Sequence, residues 1–196
     1  MQHFALRKGL DLPITGAAVA GTKETPAVRT VAILGDDYID LKPRLSVQEG
    51  DAVVAGSPIL TDKDTPTVMV TSPVSGRVKA VNRGARRKLI SVEIEVTGDG
   101  DPVSFAEVGN FDSADGIAEK LCASGLWTSF RTRPYSRVPL PDTRPAAIYI
   151  TAMDTEPLAP NPAAIIAEDA EAFAAGASIV ARLSSGKTYL CHEAGV

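Results

Sequence analysis

Cys191 and His192 are adjacent, and an imidazole beside a thiol can take its proton to make a thiolate. No third group near them in sequence would orient the pair, which makes it weak ground for catalysis. Asp154 and Glu156 follow the apolar run Ala146 to Thr151, at the C-terminal end of an expected strand, where α/β proteins form ligand sites. Two acids in a loop are more often simply solvated. Arg83, Arg86, Arg87 and Lys88 put four cations in one loop, enough for an acidic ligand or partner, although a solvated loop is the simpler reading. The densest set lies in Leu126 to Pro139: the sole Trp of the chain, Trp127, with Phe130 and Tyr135, and the arginines Arg131, Arg133 and Arg137. Rings and guanidiniums together suit an interface, or an aromatic or anionic ligand. The competing reading, which we favour, is a proline-bounded connection that plugs its rings into the crevice between two domains.

Several chemistries are excluded. The loop Ala152 to Pro160 has no G-x-G-x-x-G, so a dinucleotide pyrophosphate has no standard cradle there. No G-x-x-x-x-G-K-[ST] occurs either. Cys122 and Cys191 are far apart and form no C-x-x-C, so the chain cannot supply a zinc or iron–sulfur ligand set. His3 and His192 lie near opposite ends without ligand-spaced partners. A net charge of −4 gives no reason to expect nucleic acid. No apolar run approaches a membrane span, and the first residues have no apolar stretch of signal-peptide type. Free cytosolic thiols are expected, with membrane contact only through partners.

The elements that must position these residues fall into two kinds. Residues 1 to about 100 read as β, with runs at Val28–Leu34, Ser57–Leu60, Val68–Thr71, Gly76–Val81 and Leu89–Val96. The last alternates, placing Ile90, Val92, Ile94 and Val96 on one face and Ser91, Glu93 and Glu95 on the other. A helix is expected over Ser113 to Ala123, capped by Asp112 or Ser113, with Ile117, Leu121 and Cys122 inward and Gly125 closing it. The segment Leu126 to Pro139 is expected to be irregular. Then comes βαβ: a strand at Ala146–Thr151, a helix opened by Asn161-Pro162 and running to Gly186, and a return strand at Lys187–Cys191. Gly176 is the expected weak point of that helix. Two strands leave the sheet faces uncovered, which points to a piece of a longer protein.

Two turns stand out in the β part. Glu49-Gly50-Asp51 precedes Val53-Val54, and Ser72-Pro73-Val74-Ser75-Gly76 precedes the run to Val81, with Asp62-Lys63-Asp64 between them where a hairpin tip would fall. This resembles the biotinyl/lipoyl carrier barrel, in which a lysine at that tip is modified. Here the stretch from Lys63 to Pro73 is lengthened and contains Pro66, which has no N–H to donate to a ladder. A modifying enzyme reads a fixed tip, so Lys63 is expected to be a relic. The fold class is α+β and multidomain: a biotinyl/lipoyl-like β barrel-sandwich module over 1–100 (core 27–97), a helix and aromatic/Arg-rich connection over 101–145, and an incomplete Rossmann-like βαβ unit over 146–196.

K-G-L-D-L-P-I at Lys8 to Ile14, V-x-x-G-D at Val47 to Asp51, S-P-V-S-G at Ser72 to Gly76, S-G-L-W-T-S-F-R-T-R-P at Ser124 to Pro134 and T-A-M-D-T at Thr151 to Thr155 occur in that order. In this the chain resembles the A subunit of the bacterial sodium-translocating NADH:quinone reductase over essentially all its length. The resemblance implies the N-terminal part of a peripheral subunit on the cytoplasmic side of the inner membrane. The complex passes electrons from NADH to ubiquinone and expels sodium. FAD, FMN and iron–sulfur groups would belong to other subunits, with none bound by this chain. Trp127, Phe130, Arg131, Arg133 and Tyr135 are then candidates for contact with quinone or with partner subunits. The alternatives are a protein like the C subunit of the Rnf-type electron-transport complex, or a carrier domain with a modified Lys63. Relatives of the Rnf type and the flavin-binding subunit of respiratory complex I carry a glycine-rich loop where this chain has Leu126 to Pro134, so bulky side chains here argue against FMN.

Overall fold

The computed structural model describes residues 12–16, 18–19 and 26–193. His3 and most of the Lys8 to Ile14 motif lie outside them. Seven strands build the first part: β1 (Thr30–Leu34), β2 (Pro43–Leu45), β3 (Ala52–Val53), β4 (Pro58–Asp62), β5 (Met69–Thr71), β6 (Gly76–Arg83) and β7 (Leu89–Val96). They form two antiparallel sheets, ordered β1-β7-β6-β3 and β2-β4-β5. Both sheets feed one core. Ile33, Val53, Val78, Val92 and Ile94 come from the first, and Ile59, Leu60 and Val70 from the second. Ile59, Leu60, Val92 and Ile94 are wholly buried, each worth roughly 1.5–3 kcal/mol of apolar transfer.

The two turn motifs are stitched to each other. Gly50, at φ +92°, donates to Val78 O (2.8 Å), and Val78 donates back to Asp51 O (2.8 Å). Gly56 donates to Ser72 O (2.8 Å), and the Ala55 N–H donates to Ser75 Oγ (3.1 Å). At Gly76 a Cβ would fall 2.0 Å from Glu95 O, so only glycine lets β6 start against β7.

The β part departs from the sequence reading in three places. β2 and β3 are additional strands, three and two residues long, and strands this short carry no alternation to read. In β7 the face assignment shifts: Ile90 is 51% exposed while Leu89 and Ser91 are buried. Asn82 pairs with Ser91 and Arg83 with Leu89, so Ile90 is the extra residue of a bulge, which brings Leu89 to the core face along with Val92 and Ile94. Ser91 is satisfied there by Asn82 Nδ2 at 3.0 Å. Third, Lys63 opens the β4–β5 bend and does not stand at its middle: its N–H donates to Lys42 O (2.9 Å), prolonging the β2–β4 ladder, and the bend runs over residues 63–67, closed by Asp62 N–H donating to Val68 O (3.2 Å).

The second part holds α1 (Ala114–Ala123), a 3₁₀ turn at Leu126–Ser129, β8 (Ala147–Thr151), α2 (Pro162–Ile166), α3 (Ala170–Ala181) and β9 (Lys187–Cys191). Ser113 caps α1, its side chain accepting from the Gly116 N–H (3.0 Å). β8 and β9 pair in parallel, Ala147 opposite Lys187 through Thr151 opposite Cys191. Asn161 caps α2 ahead of Pro162. The expected single helix is broken at Asp169, not at Gly176. Asp169 leaves the helical region (φ −147°, ψ 67°) and its carboxylate accepts from the Ala172 N–H (3.0 Å), starting α3 afresh. Among the described residues no helix is long and apolar enough to cross a membrane.

Candidate ligand and docking surface around Trp127

A second buried cluster joins the two parts. Val68 from the β4–β5 bend, Ile117, Ala118 and Cys122 of α1, Trp127, and Leu183 after α3 pack together, with Phe130, Val138, Ile148 and Ile179 against them. Gly125 makes the approach possible. It sits at φ +82°, and a Cβ there would fall 2.7 Å from Thr71 Oγ1. Thr71 Oγ1 in turn donates to Ser124 O (3.1 Å). Burial pushes the Cys122 thiol up to about 12, which keeps it protonated and unreactive.

Each residue expected to bind ligand or partner now has a place. Trp127 is 3% exposed, and its indole N–H donates to Pro139 O (2.8 Å). Phe130 meets it edge to face at 5.1 Å. The first two rings of the segment therefore plug a crevice, and Leu126 to Ser129 form a 3₁₀ turn where irregular chain was expected. Arg131 spends its donors on backbone: Nη1 on Thr128 O and Phe130 O, Nη2 on Asp37 O (3.3 Å). Arg137 Nε pairs with Asp40 at 2.6 Å. The chain doubles back between them, Thr132 donating to Arg137 O and Ser136 to Thr132 O, both at 2.8 Å. On that loop Arg133 is exposed and Tyr135 is 75% exposed, with the Arg137 guanidinium over its ring at 5.8 Å. The carboxylate of Asp40 and the carbonyl of Asp37 leave no signal in sequence, since nearly a hundred residues separate them from their arginines.

Phe130 has a second face. It borders an open apolar groove of about 330 Å³ that runs along β8 and α3, lined by Ile148, Ile150, Phe173, Gly176 and Val180. Gly176 has nothing within 4 Å of where its Cβ would stand, so its missing side chain widens the groove. Across the sheet Tyr149 and Tyr189 stack at 4.9 Å.

Two other sequence candidates, Asp154 and His192, meet at a smaller hollow of about 210 Å³ at the C-terminal ends of β8 and β9, lined also by Met153, Asn161 and Glu193. Asp154 Oδ1 accepts from the Glu156 N–H (2.8 Å), so this carboxylate shapes its own loop. His192 Nδ1 lies 2.8 Å from Glu193 O, and no hydrogen bond joins it to Cys191 among the described residues. No cluster of three or more potential metal ligands occurs among them. Lys63 is exposed, and its flanking acids are held by Lys42, whose N–H donates to Asp62 Oδ1 (3.1 Å) and whose Nζ pairs with Asp64 (2.6 Å).

A barrel-sandwich followed by a parallel β/α unit, welded at an aromatic and arginine-rich connection, defines a two-domain protein of barrel-sandwich and α/β type. The model of the NqrA N-terminal barrel-sandwich hybrid domain matches residues 4–97, and that of the NqrA second alpha/beta domain matches residues 112–196. The chain belongs to the NqrA family. Proteins named as the A subunit of the Na(+)-translocating NADH-quinone reductase are 48% identical to it in Yersinia pseudotuberculosis (194 residues aligned), and 47% in Serratia proteamaculans and Saccharophagus degradans (195 residues each). Each alignment covers 97% of this chain and 43% of the relative, so the chain spans less than half the length of these relatives.

Proposed function

We propose that this chain works as part of a subunit of a sodium-translocating NADH–quinone reductase, on the cytoplasmic side of the membrane and held there by partner subunits. The carrying observation is the match of both domains, in order, to one family over nearly the whole chain. In this reading the β module (1–100) is scaffold, the connection (101–145) a weld and a contact surface, and the α/β part (146–196) the start of a domain that has lost its phosphate grip. NADH, FAD, FMN and iron–sulfur chemistry falls to other subunits. The loop that follows β8, Ala152 to Pro160, supports this, because it holds no glycine from which a phosphate cradle could be built. Tyr135 and Arg133, residue types that dominate interface energetics, offer a contact for a partner subunit. The groove beside Phe130 suits the apolar ring of ubiquinone.

The test is purification of the assembled complex through a tag on this chain. Membrane subunits are expected to copurify, and the chain alone, after desalting, is expected to be colourless. A visible absorbance band that survives desalting overturns the cofactor assignment. A quinone analogue that photolabels the assembled complex but none of the groove residues removes the groove from the reading. The carrier alternative predicts an intact mass raised by a lipoyl or biotinyl group on Lys63.

A further inference from the structure

We infer that the loop from Arg83 to Lys88 is a contact for anionic phospholipid headgroups. Four of its six residues are cations, and among the described residues only Lys88 of these is in an ion pair, with Asp36 at 2.5 Å. Arg83 turns one donor to Arg87 O (3.0 Å), while the side chains of Arg86 and Arg87 make no hydrogen bond or ion pair with the described residues. The loop closes the β6–β7 hairpin, so three positive charges without an ion pair among the described residues crowd one tip. Two nearby acids are otherwise engaged: Asp36 with Lys88, and Glu93 with Asn82 Nδ2 (2.8 Å).

The backbone makes the choice of residues telling. Arg86 (φ 55°, ψ 28°) and Arg87 (φ 63°) both hold the left-handed conformation, which favours glycine or asparagine. A turn selected only for folding would carry those residues. Here two long cations stand in strained positions, their guanidiniums unbonded to any described residue, and such strain collects where a site is used. Apolar side chains border the same tip: Ile90, lifted out by the β7 bulge and packed on Gly84, and Leu34 at the end of β1, both exposed. Cations beside exposed aliphatic side chains match a headgroup layer better than an acidic protein face.

Each such cation multiplies partition to an anionic surface about fivefold. Three give about a hundredfold, which is weak for a free chain and effective for one tethered to a membrane complex. The membrane itself comes from the proposed function; the loop's affinity is measured without it. The 196-residue chain is sedimented with sucrose-loaded vesicles of phosphatidylglycerol and phosphatidylcholine, and with phosphatidylcholine alone. Binding is expected only to the mixed vesicles, falling steeply with NaCl and surviving millimolar inorganic phosphate or polyglutamate. The R86G/R87G variant is expected to lose about 25-fold in partition while its Tm holds or rises, since glycine relieves both left-handed residues. Unchanged binding by that variant, or equal binding to phosphatidylcholine, overturns the inference. Displacement by phosphate or by polyglutamate also overturns it, in favour of a free anion or an acidic peptide. Copurification of membrane subunits with the variant reports separately on the subunit reading.

Discussion

Among single residues, Cys122 shows how far environment overrides type. A thiol walled in by Ile117, Trp127 and Leu183 cannot easily become an anion. Its pKa rises from an ordinary 9.0 to about 12, so the folded chain holds that proton more tightly than the unfolded one. The stabilisation is complete below pH 9 and lost as pH climbs toward 12. Alkylation at pH 8 is therefore expected to modify Cys191 in the native protein and Cys122 only with denaturant. Modification of Cys122 at the same rate as Cys191 in buffer would contradict the burial. Sequence alone places Cys122 on the inward face of α1, through helical spacing. It says nothing of Trp127 lying over it, because that contact depends on a turn fixed by Gly125 against Thr71.

Secondary elements are legible in sequence where a local signal marks them. The caps Ser113 and Asn161, the left-handed Gly125, and the limits of β7 all follow from side chains within a few residues. What escapes are features decided by partners across the fold. The Ile90 bulge exists because β6 and β7 must shift register near Arg83, and the break at Asp169 wins over Gly176 because a carboxylate can begin a helix anew. The candidate site is legible as a composition, rings with arginines, but not as a division of labour. Asp37 and Asp40 claim Arg131 and Arg137, leaving Arg133 and Tyr135 outside. Gly176 survives in α3 at a propensity cost of about 1 kcal/mol, and the space beside it is empty. Gly176→Ala is expected to raise Tm by about 2–4 °C while narrowing the groove and reducing quinone-analogue labelling at Phe130. A lowered Tm would show that the glycine serves packing instead.

For the whole molecule, the cluster around Trp127 ties the β module to the α/β part. Val68, α1 and Leu183 share one buried indole, and Arg137–Asp40 and Thr71–Ser124 add polar ties across the same seam. Trp127 fluorescence and far-UV circular dichroism are therefore expected to report one coincident unfolding transition in urea. Two separated transitions would mean that the halves stand independently. The β4–β5 bend carries a broader consequence. A carrier protein ferries its cargo on an arm that must pivot freely between distant stations. In this barrel the far side of the bend is sewn shut by Val68, and the near side by Lys42. A bend fastened on both sides is expected to move only with the barrel that holds it, not as a limb of its own.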